Sequence, residues 1–203
     1  MKRYLLLALL CFAALSCTQE TTLSITPDVR DFQFGPEGGS FDVVIFTNGV
    51  WTATCADETI IFSPASGEYT TPMHVEVPEN VEHFTKAVHI QLTSKTGDIS
   101  RTAQVVISQD CYPFILCEEP VKEIGAEGGK VRLSVNSNEA WRLEQPVGSV
   151  AFGASPETGG PNRTEVTLDI PANTTGEARS FSVMLALQSD SSVSLMLTVQ
   201  QGA

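Results

Sequence analysis

Basic residues are scarce in this chain: 12 Lys and Arg stand against 24 Asp and Glu, for a formal net charge of −12 over 203 residues. Lys2 and Arg3 lie at the extreme N-terminus. Without them ten basic residues face 24 acidic ones, a net of −14. Such a surface repels the phosphates of nucleic acid and anionic lipid headgroups, which excludes DNA and RNA as partners and leaves solubility as the plain reading of the charge. Helical periodicity is absent over any sustained stretch. There is no Cys-x-x-Cys, no Cys/His spacing suited to zinc, no His-Glu-x-x-His, no Gly-x-Ser-x-Gly and no phosphate-cradling glycine loop before a helix. Carboxylates are plentiful, but no pair stands apart as the two flanking groups of a glycosidase. These absences argue against an enzyme, against a catalytic or metal-binding set of residues and against a cofactor.

The one long apolar run, Leu5–Leu15, falls short of the roughly 20 residues needed to span a bilayer. It follows Met1-Lys2-Arg3 and precedes Ala14-Leu15-Ser16-Cys17, the layout of an export signal with small residues at the cleavage site. Ser16-Cys17 resembles a bacterial lipobox. The expectation is a signal peptide over 1–16, a lipidated Cys17 with a short tether over 17–21, and contact with the membrane through this anchor alone. Several acyl chains on one cysteine give a stable tether where a single chain does not. Cys11 leaves with the leader, so Cys55, Cys111 and Cys117 remain. Three is an odd number, and the reading favours unpaired thiols over one internal disulfide.

What is abundant is a repeat. Gly35-Pro36-Glu37-Gly38-Gly39 returns as Gly125-Ala126-Glu127-Gly128-Gly129. Alternating Phe41, Val43 and Ile45 match Val131, Leu133 and Val135, and Trp51 matches Trp141. Ser63-Pro64 to Gly67 matches Ser155-Pro156 to Gly159, Asn80 matches Asn173, and Val105, Ile107 and Gln109 match Leu197, Val199 and Gln201. A period of about 90 residues with apolar positions at every second residue predicts an all-β chain of two tandem immunoglobulin-like β-sandwiches, 22–109 and 110–203, each with six or seven short strands. The very short joint at Asp110–Pro113 predicts little independent swinging, a rod instead of beads on a string.

These residues resemble the BACON domain. The resemblance rests on Trp51 with Ser63-Pro64 to Gly67 and Val105 to Gln109, and on Trp141 with Ser155-Pro156 to Gly159 and Leu197 to Gln201. An Arg that often follows the Asn in that family is matched by Arg179, whereas the first unit has Lys86. The resemblance implies an immunoglobulin-like fold in a Bacteroidetes-type lipoprotein of the cell envelope, placed at the outer membrane with its periplasmic or external face left open. It also suggests a polysaccharide or mucin ligand. A structural spacer, or a component that binds an envelope protein and no glycan, is the competing expectation.

Features present in both units serve the fold, so Trp51 and Trp141 are read as core. Features of one unit alone are candidates for something particular. In the first unit these are Phe46, Tyr69, His74, His83, Phe84 and His89. Val43 and Ile45 point inward, so Phe46 points outward, and Tyr69 lies in the loop after Gly67. Phe46 and Tyr69 are the candidate ligand contacts, an aromatic platform on which a sugar ring could stack. The histidines lack metal-ligand spacing and read as surface side chains.

Overall fold

A computed structural model of the chain describes residues 22–203. The proposed signal peptide and Cys17 lie outside this range. The described residues form strands joined by turns and loops, with no helix among them.

The first unit runs β1 (Ile25–Pro27), β2 (Asp31–Phe34), β3 (Gly39–Thr47), β4 (Val50–Cys55), β5 (Ile61–Ser63), β6 (Ser66–Glu68), β7 (Thr71–Val77), β8 (Lys86–Thr96) and β9 (Ile99–Gln109). One sheet has the order β1-β3-β7-β5 and the other β2-β9-β8-β4-β6. The second unit repeats the plan with β10 (Ile115–Cys117), β11 (Val121–Ile124), β12 (Gly129–Ser137), β13 (Trp141–Glu144), β14 (Gly153–Ser155), β15 (Thr158–Gly159), β16 (Asn162–Ile170), β17 (Arg179–Leu187) and β18 (Ser194–Gln201). Its sheets are ordered β10-β12-β16-β14 and β11-β18-β17-β13-β15. Each unit is thus an immunoglobulin-like β-sandwich, and no sheet is shared between the two.

Each unit has nine strands, more than the sequence pattern suggests. Two extended segments per unit change sheets midway and count twice. The chain enters in β1 on one sheet and continues as β2 on the other, where it pairs parallel to β9. Similarly β5 and β6, on either side of Ser63-Pro64, belong to different sheets. Both Ser63-Pro64 and Ser155-Pro156 are cis.

The alternation read from sequence is the alternation seen. In β7 the residues Met73, Val75 and Val77 are buried while His74 and Glu76 face water. Two separate cores result, one including Val43, Ile45, Trp51, Val75, Ile90, Leu92 and Ile107, the other Leu133, Val135, Trp141, Leu168, Val183, Leu185 and Val199. A fully buried aliphatic side chain contributes on the order of 1.5–3 kcal/mol, so each unit holds its own hydrophobic stabilisation.

The double glycines are steric necessities. Gly38 has φ +72°, and a Cβ there would lie 2.2 Å from the carbonyl oxygen of Val77. Gly128 has φ +71°, and its Cβ would lie 2.3 Å from that of Ile170. A side chain is barred at both positions by backbone conformation and by space.

Candidate functional site

Polar side chains, recurring at the same place in each unit, fix where the chain enters and leaves. At the exit of the first unit Asn80 is fully buried. Its Nδ2 donates to the carbonyls of Phe84 and Asp110, each at 2.9 Å, and its Oδ1 accepts from the N–H of Glu82 at 3.2 Å. Asn173 does the same for Glu177 and Gly202 at 2.7 Å, and for Thr175. Beside it Gln109 Nε2 donates to Pro36 at 3.2 Å and Pro78 at 2.8 Å, and Gln201 Nε2 to Pro171 at 2.9 Å. Arg179 supports the second of these amides, its Nε donating to Gln201 Oε1 at 2.9 Å. Part-buried loop carbonyls are served by such donors where no strand ladder reaches them.

At the entrance the same chemistry recurs. Asn48 Oδ1 accepts from the N–H of Ser24 at 2.9 Å, and its Nδ2 donates to the Thr22 carbonyl at 3.1 Å. Asn138 Oδ1 accepts from the N–H of Phe114 at 2.9 Å, and its Nδ2 donates to the Tyr112 carbonyl at 3.1 Å and to Cys111 Sγ at 3.4 Å.

The connector between the sandwiches, Asp110–Phe114, is therefore held from both sides. From the first unit Asn80 holds the Asp110 carbonyl, and the Phe34 carbonyl accepts the Asp110 N–H at 3.0 Å. From the second unit Asn138 grips Cys111, Tyr112 and Phe114. The ring of Phe114, buried, lies 5.0 Å from that of His83 in the first unit. Glu79 faces the Tyr112 hydroxyl and raises that phenol above its ordinary value. Sequence comparison of the repeats singled out Asn80, Asn173, Gln109 and Gln201 without a role. Asn48 and Asn138 escaped it, although they recur at the 90-residue offset.

Among the sequence-derived ligand contacts, Phe46 is 49% and Tyr69 66% exposed. Phe46 sits on β3 opposite Thr26. Tyr69 has φ 58° in the turn after β6, with its N–H bonded to the Gly49 carbonyl at 3.2 Å. Both lie toward the end where the chain enters the unit, but their rings do not pair. The aromatic pairs among the described residues are elsewhere, as in Phe32–Phe41 with centroids 3.6 Å apart.

Trp51 and Trp141 are both fully buried, and neither indole N–H has a hydrogen-bond partner. Gly67 and Gly159 lie against these rings, where a Cβ would come within 2.8 Å and 2.5 Å respectively. His74, His83 and His89 are exposed and spread apart, and no cluster of metal-ligating side chains occurs among the described residues. His74 Nδ1 instead pairs with Asp42 at 2.7 Å. Cys55, Cys111 and Cys117 are free thiols. Burial pushes the Cys55 thiol up, away from the thiolate a nucleophile needs.

The first unit also carries an open depression of about 450 Å³ between the β4–β5 loop and the start of β8, lined by Ala56, Asp57, Phe84, Lys86, Ala87 and His89. A second depression, of about 440 Å³, lies on β10 and β12 of the other unit, where Arg163 bonds Glu118 at 2.9 Å and Ser134 at 2.5 Å.

No family model matches the chain, and no curated protein matches it by sequence. Among solved structures, human mucin-like protocadherin EC1-2 is 13% identical with a TM-score of 0.51, over 88% of this chain and 97% of that one. A structure of protocadherin gamma B7 cadherin domains 1–4 is 11% identical with a TM-score of 0.49, over 88% of this chain and 50% of that one. The Bacteroides ovatus GH5 xyloglucanase, solved with a XXXG heptasaccharide, is 13% identical with a TM-score of 0.39, over 53% of this chain and 22% of that one. This chain thus spans at most half the length of the latter two. The first likeness shows the fold: tandem sandwiches of immunoglobulin type.

Proposed function

We propose that the chain is a non-catalytic lipoprotein of the cell envelope, tethered through Cys17, whose two sandwiches form a spacer for protein interaction and take no glycan. The observation that supports this reading is the connector Asp110–Phe114, gripped by Asn80 from one unit and by Asn138 from the other. A joint built this way transmits orientation from one sandwich to the next, which a spacer needs and a sugar-binding module does not. The burial of both Trp residues removes the aromatic faces best suited to a sugar ring.

The glycan reading keeps one observation in its favour, the exposure of Phe46 and Tyr69. A glycan array probed with the mature protein separates the two readings. The expected result is no retained polysaccharide or mucin glycan. Binding that disappears in a Phe46→Ala, Tyr69→Ala variant would replace the spacer by a glycan-binding module. For the anchor, the mature mass and detergent partitioning of the protein and of Cys17→Ser are compared, and identical behaviour of the two would end the lipoprotein assignment.

A further inference from the structure

Four large apolar side chains stand in water at one end of the first unit: Phe46, Val50, Tyr69 and Ile99, between 49% and 66% exposed. Strand pairing brings them to that end together. Phe46 lies just before the β3–β4 turn and Val50 just after it. The Tyr69 N–H bonds the Gly49 carbonyl of the same turn at 3.2 Å. Val50 stands opposite Lys95, and Ile99 closes the β8–β9 hairpin opposite Thr96. The chain also enters the unit here, with the Thr22 carbonyl held by Asn48 of the β3–β4 turn at 3.1 Å.

The second unit is an internal control. By strand register the matching positions there are Asn136, Ala140, Asn162 and Ser191, all exposed and none a large apolar residue. That end of the second unit adjoins the connector, which Asn138 grips. The sandwich plan therefore does not require the four apolar residues. Tyr69 and Asn162 both have positive φ, 58° and 85°. Asn adopts such backbone readily, whereas a bulky ring does so at a cost that the exposed Tyr69 does not offset within its own unit. Charge is uneven in the same sense. Around the four, Lys95 and Arg101 balance Glu68 and Asp98, in a chain of net charge −12. The opposite end of the unit carries Glu37, Glu79, Glu82 and Asp110 against Lys86.

We propose that this end of the first unit rests on the lipid surface to which Cys17 is anchored, with Phe46, Val50, Tyr69 and Ile99 among zwitterionic headgroups. The length of the tether limits what can cover the four. Thr22 follows Cys17 by five residues, which reach at most ~18 Å when fully extended. A lipid on Cys17 thus holds a bilayer close to the Asn48 turn, at the end where the apolar side chains emerge. Aromatic and aliphatic side chains settle at such an interface, and Tyr suits it with an apolar ring and a wet hydroxyl. The formally neutral end loses little on leaving water, while the acidic end keeps its hydration and leads to the second unit. This inference rests on the reading of the chain as anchored through Cys17, and accounts for the exposure of Phe46 and Tyr69 without a glycan.

The test supplies the anchor chemically, so that it does not depend on lipidation in the cell. Residues 17–203, with Cys17→Ser and a dialkyl lipid coupled to the N-terminal amine, are bound to phosphatidylcholine vesicles. A spin label on an unnatural residue is placed at Ser100, beside Ile99, or at Val147 of the second unit, and its accessibility to a water-soluble paramagnetic relaxant is measured on and off vesicles. The Ser100 label should become several-fold less accessible on vesicles, and the Val147 label should not change. Phe46→Asn, Val50→Ala, Tyr69→Asn and Ile99→Ser together, the residues of the second unit, should restore access at Ser100 with the thermal melt unchanged. The comparison of Ser100 with Val147 in the parent chain stands whether or not that variant folds. A Ser100 label equally accessible on and off vesicles, or shielding that survives the fourfold variant, overturns the proposal. Soluble oligosaccharides that restore access would reassign Phe46 and Tyr69 to sugar and overturn it as well. An unmodified Cys17 in the native mature mass would instead end the lipoprotein reading, and would leave the vesicle result as it is.

Discussion

Asn80 Nδ2 donates to the carbonyl of Asp110 at 2.9 Å, and this bond fixes the point at which the chain leaves the first sandwich. Its counterpart, Asn173 to Gly202 at 2.7 Å, performs the same task where the second sandwich ends. The two bonds are alike in chemistry and burial, but only the first adjoins the connector.

That difference separates stability from orientation. Asn80→Ala and Asn173→Ala each leave two part-buried carbonyls without a donor and should cost about 1–3 kcal/mol, measured by chemical denaturation. Only Asn80→Ala should also loosen the joint, seen as a larger spread of inter-unit distances. Equal loosening by Asn173→Ala would show that the asparagine acts through general stability alone.

The glycines against the tryptophans give a second expectation. In Gly67→Ala the new Cβ meets Trp51 Nε1 at 2.8 Å, and in Gly159→Ala it meets the Trp141 ring at 2.5 Å. Neither ring can retreat, since both are wholly enclosed. Each substitution should destabilise its own unit by about 1–3 kcal/mol, the usual cost of overpacking a core. Tryptophan fluorescence during urea unfolding reads this directly, and a loss under about 0.5 kcal/mol would mean that the contact is soft.

Much of this architecture is legible in the sequence, and the reason is physical. Alternation at Phe41-Val43-Ile45 reports which face of a strand is wet, and Trp51 with Trp141 reports a core position used twice. The double glycines mark where backbone meets backbone. By contrast, the splitting of β1 from β2 and of β5 from β6 depends on which sheet a three-residue segment joins, and three residues carry too little pattern to say. The platform of Phe46 and Tyr69 was half legible. Outward orientation follows from alternation, but whether two exposed rings meet depends on the turn conformation at Tyr69. The depression at the start of β8 was not legible at all, because it depends on where β4 stops pairing with β8.

Acid should act on the rim of that depression, which Asp57 lines. The hydroxyl of Thr59 donates to Asp57 Oδ1 at 2.6 Å and its N–H at 3.0 Å, which holds this carboxyl below the usual Asp value. A carboxyl depressed in the folded state adds stability above its unfolded pKa and loses it as pH falls through the folded value. Thr59→Ala removes the larger of the two bonds. The Asp57 carboxyl, followed by NMR, should then titrate at higher pH, with the stability difference from the parent vanishing in strong acid. An unchanged titration would mean that the hydroxyl bond does not form in solution.

The central claim is that the two sandwiches share one fixed relation through the connector. Spin labels on unnatural residues placed at the exposed positions Ile99 and Val147 would measure it by pulsed dipolar spectroscopy. The account expects one narrow distance distribution for the parent chain, broadened when Asn80→Ala and Asn138→Ala are combined. A broad or multimodal distribution in the parent chain would contradict it.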